Sequence, residues 1–201
     1  MSSVDLFVRH FLAIYFLMIG LHYTSRSLGL FERMRFSHIH YGVRGSGVWW
    51  HRHLFNVFRA SILGVCVARV FFDIDPWLGR FGDMFQAPIL VAGVVLLLAS
   101  FSLIDYVQAY MHKDWRTGID EKQQGELITT GPFRRSRNPL FMAIMLGQVG
   151  FFLALPSVFS LVCLVVGMVV IVRQARAEEH ALSRLYGDDY SAYLARVPRW
   201  F

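Results

Sequence analysis

The sequence predicts an all-α integral membrane protein with about five transmembrane helices, a short helical hairpin near the C-terminus and a structured tail. Three observations carry that prediction. Hydrophobic residues make up 55% of the 201 residues and mean hydropathy is +0.44, too apolar for a water-soluble domain of this length. The apolar residues gather in runs approaching the ~20 that a bilayer crossing needs. The basic residues, which give a formal charge of +6, collect between those runs, so the charge calls for a membrane surface and not for nucleic acid.

The first segment runs from about Leu6 to Tyr23, the second from about Leu54 to Phe72 and the third from about Phe85 to Ile104. The fourth, Pro139 to Leu155, and the fifth, Ser157 to Val172, are separated only by Pro156. At 1.5 Å per residue each of these two is roughly 25 Å long, short for a full crossing, which predicts a tight hairpin whose tip barely reaches the far interface. Beyond it, Leu182, Leu185 and Tyr186 recur at helical spacing. Gly187-Asp188-Asp189 reads as a helix stop and a new start with Asp188 as N-cap, after which Tyr190, Tyr193, Leu194 and Val197 continue an apolar face. No repeat or low-complexity linker divides the chain. Residues 1–201 read as one domain, with residues 1–110 as a three-helix part and 111–201 as loop, hairpin and tail.

The loops set the orientation. Residues 24–53 carry Arg26, Arg33, Arg35, Arg44 and Arg52 against Glu32; residues 105–138 carry Lys113, Arg116, Lys122, Arg134, Arg135 and Arg137; the tail adds five arginines. On the other side, residues 73–84 offer Arg80 against three aspartates. The positive-inside rule then puts the N-terminus outside and the long loops and C-terminus in the cytoplasm. Arg9 and His10 precede an apolar run with no small-x-small cleavage site after it, so a removable leader is not expected. Arg69 and Asp105 lie near segment ends and are expected to snorkel. Cys66 and Cys163 lie inside apolar runs and read as small packing residues.

Two polar clusters hold the chemistry. In Gly125-Glu-Leu-Ile-Thr-Thr-Gly-Pro-Phe-Arg-Arg-Ser-Arg-Asn-Pro-Leu-Phe141, a Gly-Pro turn and three arginines lead into an Asn-Pro helix start. Asn138 suits the N-cap and Pro139 the first helical position, and the free N–H groups of such an end attract a carboxylate or phosphate. The plainer alternative is that Asn138 only caps a membrane helix while Arg134, Arg135 and Arg137 touch lipid headgroups. The second cluster, Arg173-Gln-Ala-Arg-Ala-Glu-Glu179, ends the fifth run. Arg173 and Arg176 pair with the glutamates at helical spacing on one reading; on the other, one carboxylate faces inward and binds an ammonium group. A zwitterionic amino-acid moiety would join both clusters, its carboxylate at Asn138 and its ammonium at Glu178. His38, His40, His51 and His53 lack a supporting Cys or carboxylate, and Trp49-Trp-His-Arg-His53 reads as an interfacial anchor; no metal is expected.

From about Met111 to Trp200 the chain resembles the integral-membrane methyltransferases of the isoprenylcysteine carboxyl methyltransferase and phospholipid methyltransferase group. Met111-His-Lys-Asp-Trp-Arg-Thr-Gly-Ile-Asp120 is similar to a cytoplasmic segment of bacterial members, and Leu127-Ile-Thr-Thr-Gly-Pro-Phe133 to their Leu-Val-Thr-x-Gly-Pro-Tyr element. Arg137-Asn-Pro-Leu-Phe141 resembles Arg-His-Pro-x-Tyr, Glu178-Glu179 the paired glutamates, and Gly187-Asp-Asp-Tyr-Ser-Ala-Tyr193 with Arg196-Val-Pro-Arg-Trp200 the closing signature. The resemblance implies a bacterial inner-membrane enzyme with S-adenosylmethionine as methyl donor on the cytoplasmic side. It implies that Gly125, Glu126, Leu127, Ile128 and Phe133 help hold the cofactor, with Asn138, Pro139, Leu140 and Phe141 as wall and helix-start contact and Glu178 on its amino group. Arg137 and Gln174 fall at substrate-contacting positions, and Glu179 and Arg173 at the reacting end. Asn138 stands where eukaryotic members have histidine, Phe141 where they have tyrosine, and Gln174 where they have arginine, which weakens any claim of prenylcysteine specificity.

Methyl transfer from a sulfonium needs alignment and exclusion of water more than covalent help. A carboxylate acceptor needs no base at neutral pH, whereas an amine or thiol must lose a proton, and Glu179 is the best available base. The acceptor is expected to be lipophilic or amphipathic: a prenylcysteine-like carboxylate, a phospholipid amine or a thiol. Two other classes stay open on the sequence alone, a non-catalytic membrane scaffold of the same fold and a membrane reductase using NADPH.

Overall fold

In lipid every backbone polar group needs an internal partner, so apolar runs of this length fold as helices. The computed structural model describes residues 2–34, 47–111 and 127–201. It contains α1 (Ser3–Met34), α2 (Gly47–Phe71), α3 (Ala87–Met111), α4 (Pro139–Ala154) and α5 (Val158–Arg196). Single 3-10 turns at Asp75–Leu78, Gly82–Met84 and Gly131–Arg134 join them, and no strand occurs among the described residues. Helices α1, α2, α3 and α5 are long and apolar enough to cross a membrane, and the 16 residues of α4 make the short apolar member.

Several helices outrun the hydropathy that announced them. α1 continues beyond Tyr23 to Met34, α2 starts at Gly47 instead of Leu54, and α3 ends at Met111 instead of Ile104. A helix keeps its internal hydrogen bonds on leaving lipid, so the end of an apolar run does not end it. Before Gly187, α5 runs over residues 158–186, about 44 Å of axis against ~30 Å of hydrocarbon. Its apolar part ends near Val172, and the stretch from Arg173 onward stands outside the membrane span. The expected stop falls where it was read: at Gly187 the backbone leaves helical geometry, with φ 52° and ψ −118°, so α5 is two helices joined across a kink, and glycine adopts that positive φ without steric cost.

The α4–α5 hairpin turns on Leu155, Pro156 and Ser157, and Ser157 and Ser160 form a reciprocal capping box at the start of α5. The closest partner of α4, however, is α3. A Cβ on Gly93 would run into the backbone of Gly150 and Ala154, and one on Gly147 into the Ser100 hydroxyl. Ser100 donates to the Ala143 carbonyl at 2.8 Å, so the seam is both tight and hydrogen-bonded. From α1, Tyr15 donates to the Leu97 carbonyl of α3 at 2.7 Å, and Phe16 meets Phe151 of α4 edge to face at 5.3 Å.

One expectation is overturned at the end of the bundle where α2 leads into α3. Arg69 does not snorkel: it is 1% exposed and donates from Nε to Asp75 Oδ1 at 2.7 Å. A carboxylate six residues on, brought back by the 3-10 turn, accepts from Nε and Nη2 of the guanidinium, while Nη1 stays buried without an acceptor among the described residues. Toward the other end of the bundle, Asp105 lies within α3, six residues before its last, with its side chain half-exposed and 3.6 Å from His22.

Candidate functional site

The two polar clusters of the sequence meet. Asn138 occupies the N-cap position of α4 with Pro139 behind it, but its side chain does not cap. Instead Nδ2 donates to Glu179 Oε1 at 2.8 Å and to the Arg199 carbonyl at 3.3 Å. The expected capping role therefore fails, because a buried carboxylate on α5 competes for the amide. The N–H groups of Leu140 and Phe141 find no acceptor among the described residues. Two donors at the positive end of a helix are left open there.

Glu179 is the hub. It is 7% exposed, accepts from Arg199 Nε at 2.9 Å and from Arg199 Nη2 at 2.8 Å, and lies 3.5 Å from Arg137 Nη1. Burial pushes its carboxyl up, but the hydrogen bonds of Arg199 and Asn138 and the charges of Arg137 and Arg199 outweigh that and hold it below the usual carboxylate range. The expected helical pairing with Arg173 or Arg176 is not made: both are exposed and neither forms an ion pair among the described residues. The partners come from residues 137 and 199, beyond the reach of any local spacing rule.

Backbone contacts bind the tail down over this point. Arg137 N–H donates to the Pro198 carbonyl at 3.0 Å, Ser136 Oγ to the Arg199 carbonyl at 3.0 Å, and Tyr193 OH to the Phe133 carbonyl at 2.7 Å. Leu127 packs against Tyr190, Tyr193 and Val197. The 3-10 turn before α4 is pinned from α3, since Tyr110 OH bonds Thr130 Oγ1 at 2.6 Å. Gly131, at φ 58°, has the Tyr110 ring where a Cβ would go, so both backbone and packing demand glycine there.

The remaining expected residues surround this contact or lie apart from it. Ile128, Phe133, Leu140 and Phe141 are half-buried near the start of α4. Glu178 is half-buried and accepts from Gln174 Nε2 at 3.0 Å. Gly125 and Glu126 lie outside the described residues, as do His38 and His40. The rings of Trp49 and His53 lie 4.0 Å apart, tilted at 59°, in the first turns of α2. Arg199, Ser136, Tyr193 and Tyr110 were not anticipated as site residues. Arg199 lies in the closing motif Arg196-Val-Pro-Arg-Trp200, Tyr193 in Gly187-Asp-Asp-Tyr-Ser-Ala-Tyr193 and Ser136 in the Gly125 to Phe141 stretch, but their shared role shows only once the tail folds back; Tyr110 has no such signal.

The model of one family, described as phospholipid methyltransferase, matches residues 87–189. No curated protein and no solved structure matches the chain.

Proposed function

The chain belongs to the phospholipid methyltransferase family, and we propose that it transfers a methyl group from S-adenosylmethionine to an amphipathic acceptor at the cytoplasmic membrane face. The family and the four membrane-length helices together make it a membrane methyltransferase. The observation that carries the finer reading is the start of α4. Asn138 turns its side chain to Glu179, which leaves the N–H groups of Leu140 and Phe141 open beside the half-buried carboxylate of Glu178. Open N–H groups suit the cofactor's carboxylate and Glu178 its ammonium.

Leu127, Ile128, Phe133, Leu140 and Phe141 supply an apolar wall in this reading, and Gly125 and Glu126 extend it along the loop. When bound, the sulfonium supplies a methyl group already activated for transfer. The chain's own work is to bind, to orient the acceptor and to keep water out. Glu179 acts as a positioning residue: a carboxyl held ionised among Asn138, Arg137 and Arg199 is a weak base but a strong clamp. Arg137, Arg173 and Gln174 are the polar groups that meet the acceptor's head. The family description favours the amine of a phospholipid headgroup as that acceptor, with a prenylcysteine-like carboxylate or a thiol as the alternative.

Calorimetry of the detergent-purified protein with S-adenosylhomocysteine, and with NADPH beside it, tests the reading. S-adenosylhomocysteine is expected to bind and NADPH not to. The reverse result would replace the transferase with a reductase, and binding of neither would leave a scaffold.

A further inference from the structure

At the end of the bundle away from Glu179, six charged side chains crowd around the α2–α3 link. Asp75, 2% exposed, accepts from Arg69 Nε at 2.7 Å, Arg9 Nη2 at 2.9 Å and Arg80 Nη1 at 3.0 Å. Asp5 lies 3.8 Å from Arg69 Nη2 and 4.0 Å from Arg80 Nη2. Beside them opens a cavity of about 510 Å³ lined by Ser2, Asp5, Arg9, Asp73, Arg80 and Phe85, within the range of small-ligand sites. From this arrangement we propose that the cavity binds a zwitterionic phosphate–ammonium group, presented as the headgroup of a phospholipid in the adjoining leaflet.

Charge balance argues for a zwitterion. Arg9, Arg69 and Arg80 face Asp5, Asp75 and Asp73, so the cluster as a whole is neutral, but its poles are separated. The three arginines outnumber the two aspartates that bind them, and Arg9 Nε and Arg69 Nη1 are buried without an acceptor among the described residues. Arg80 keeps 34% of its side chain exposed, with its guanidinium 3.6 Å over the Phe85 ring. That is the anion-receiving pole. Asp73 is exposed, lines the same cavity and makes no ion pair among the described residues, which leaves a carboxylate for the ammonium.

Depth argues for a lipid. Phe71, Phe72 and Trp77 are 74%, 66% and 88% exposed around this link, the placement of an aromatic belt at headgroup level. A purely internal ion network would account for the bonds to Asp75. It would need neither the cavity, nor the exposure of Arg80, nor the unpaired Asp73.

The full chain, stripped of lipid in a neutral detergent, tests this by thermal unfolding with added phosphatidylethanolamine, phosphatidylglycerol or water-soluble phosphoethanolamine. Phosphatidylethanolamine is expected to raise the apparent midpoint by roughly 2–4 °C, the scale of a modest ligand stabilisation for a chain of this size. Phosphatidylglycerol should do little. Asp73→Asn, at the cavity rim, should abolish the rise without lowering the lipid-free midpoint much; Arg80→Gln should abolish it as well, from a lower lipid-free midpoint because buried Asp75 loses a donor. An equal rise with phosphatidylglycerol, or an undiminished rise in Asp73→Asn, overturns the zwitterion site. An equal rise with phosphoethanolamine makes the ligand a soluble one and overturns the lipid. Because a phospholipid amine is also the proposed acceptor at the Glu179 end, the rim variants and not the wild-type protein carry the test, and a rise that persists in whichever of the two folds overturns the cavity site.

Discussion

Asn138 and Glu179 are 41 positions apart in the chain and 2.8 Å apart in space. Each of two neighbouring glutamates has its own surroundings, and the difference assigns their work. Glu179 is enclosed by cations and an amide, whereas Glu178 is half-buried beside Gln174. If Glu178 receives the cofactor's ammonium, Glu178→Gln should weaken S-adenosylhomocysteine binding by roughly 1.5–3 kcal/mol, about tenfold to more than a hundredfold, with folding little changed. Asp188→Asn, farther along the tail, should leave affinity unaltered; equal affinity in Glu178→Gln and wild type, by calorimetry, sinks the assignment. Glu179 gives a pH test. Its folded pKa lies below the ordinary carboxylate value, so its hold on the tail is complete above that value and fades as pH falls through the lowered one. A fluorophore at Phe201→Cys should keep its anisotropy from neutral pH down through the usual carboxylate range and lose it below. In Glu179→Gln the anisotropy should already be reduced at neutral pH and show no step at the lowered value. The glutamate pair and the Asn-Pro start were legible as site residues because their chemistry is written locally. Arg199 was not, since nothing in its neighbourhood says that the chain returns to residue 137.

Among the elements, the apolar runs revealed the order and number of helices but not where they stop. Hydropathy records the solvent, while helix length records backbone hydrogen bonding, and the two part company in α1 and α5, whose polar ends stay helical. The α3–α4 seam was hidden for another reason. Glycines in an apolar run look alike until a neighbour is placed against them. Gly93 and Gly150 sit where a Cβ meets backbone, while a Cβ on Gly20 meets nothing within 4 Å. Gly93→Ala and Gly150→Ala should therefore each cost about 1–3 kcal/mol or more through overpacking. Gly20→Ala should be neutral or stabilise by up to about 1 kcal/mol, as alanine does in a helix. Apparent melting temperatures in one detergent would order the three variants, and a Gly93→Ala as stable as Gly20→Ala would mean the seam is looser than described.

For the whole molecule, the two charged ends differ in kind. The Glu179 end gathers basic loops, while the Asp75 end ties its three arginines to aspartates. A count that reads loops alone sees only Arg80 there, because Arg9 and Arg69 belong to helices. The proposed orientation makes Gly45, Glu121 and Phe201 cytoplasmic and the N-terminus external. Reporter fusions at those positions check it, and an external signal at Glu121 would put the proposed cofactor site where the cofactor is not made. The close contact of α3 and α4 also bears on traffic from the bilayer. Where two backbones touch, as at Gly93 and Gly150, no gap admits an acyl chain, and that stretch of the perimeter is a wall to lipids. A hydrophobic acceptor bound for the Glu179 end has to enter elsewhere, and α2, the least enclosed of the four membrane-length helices, borders the most open shore.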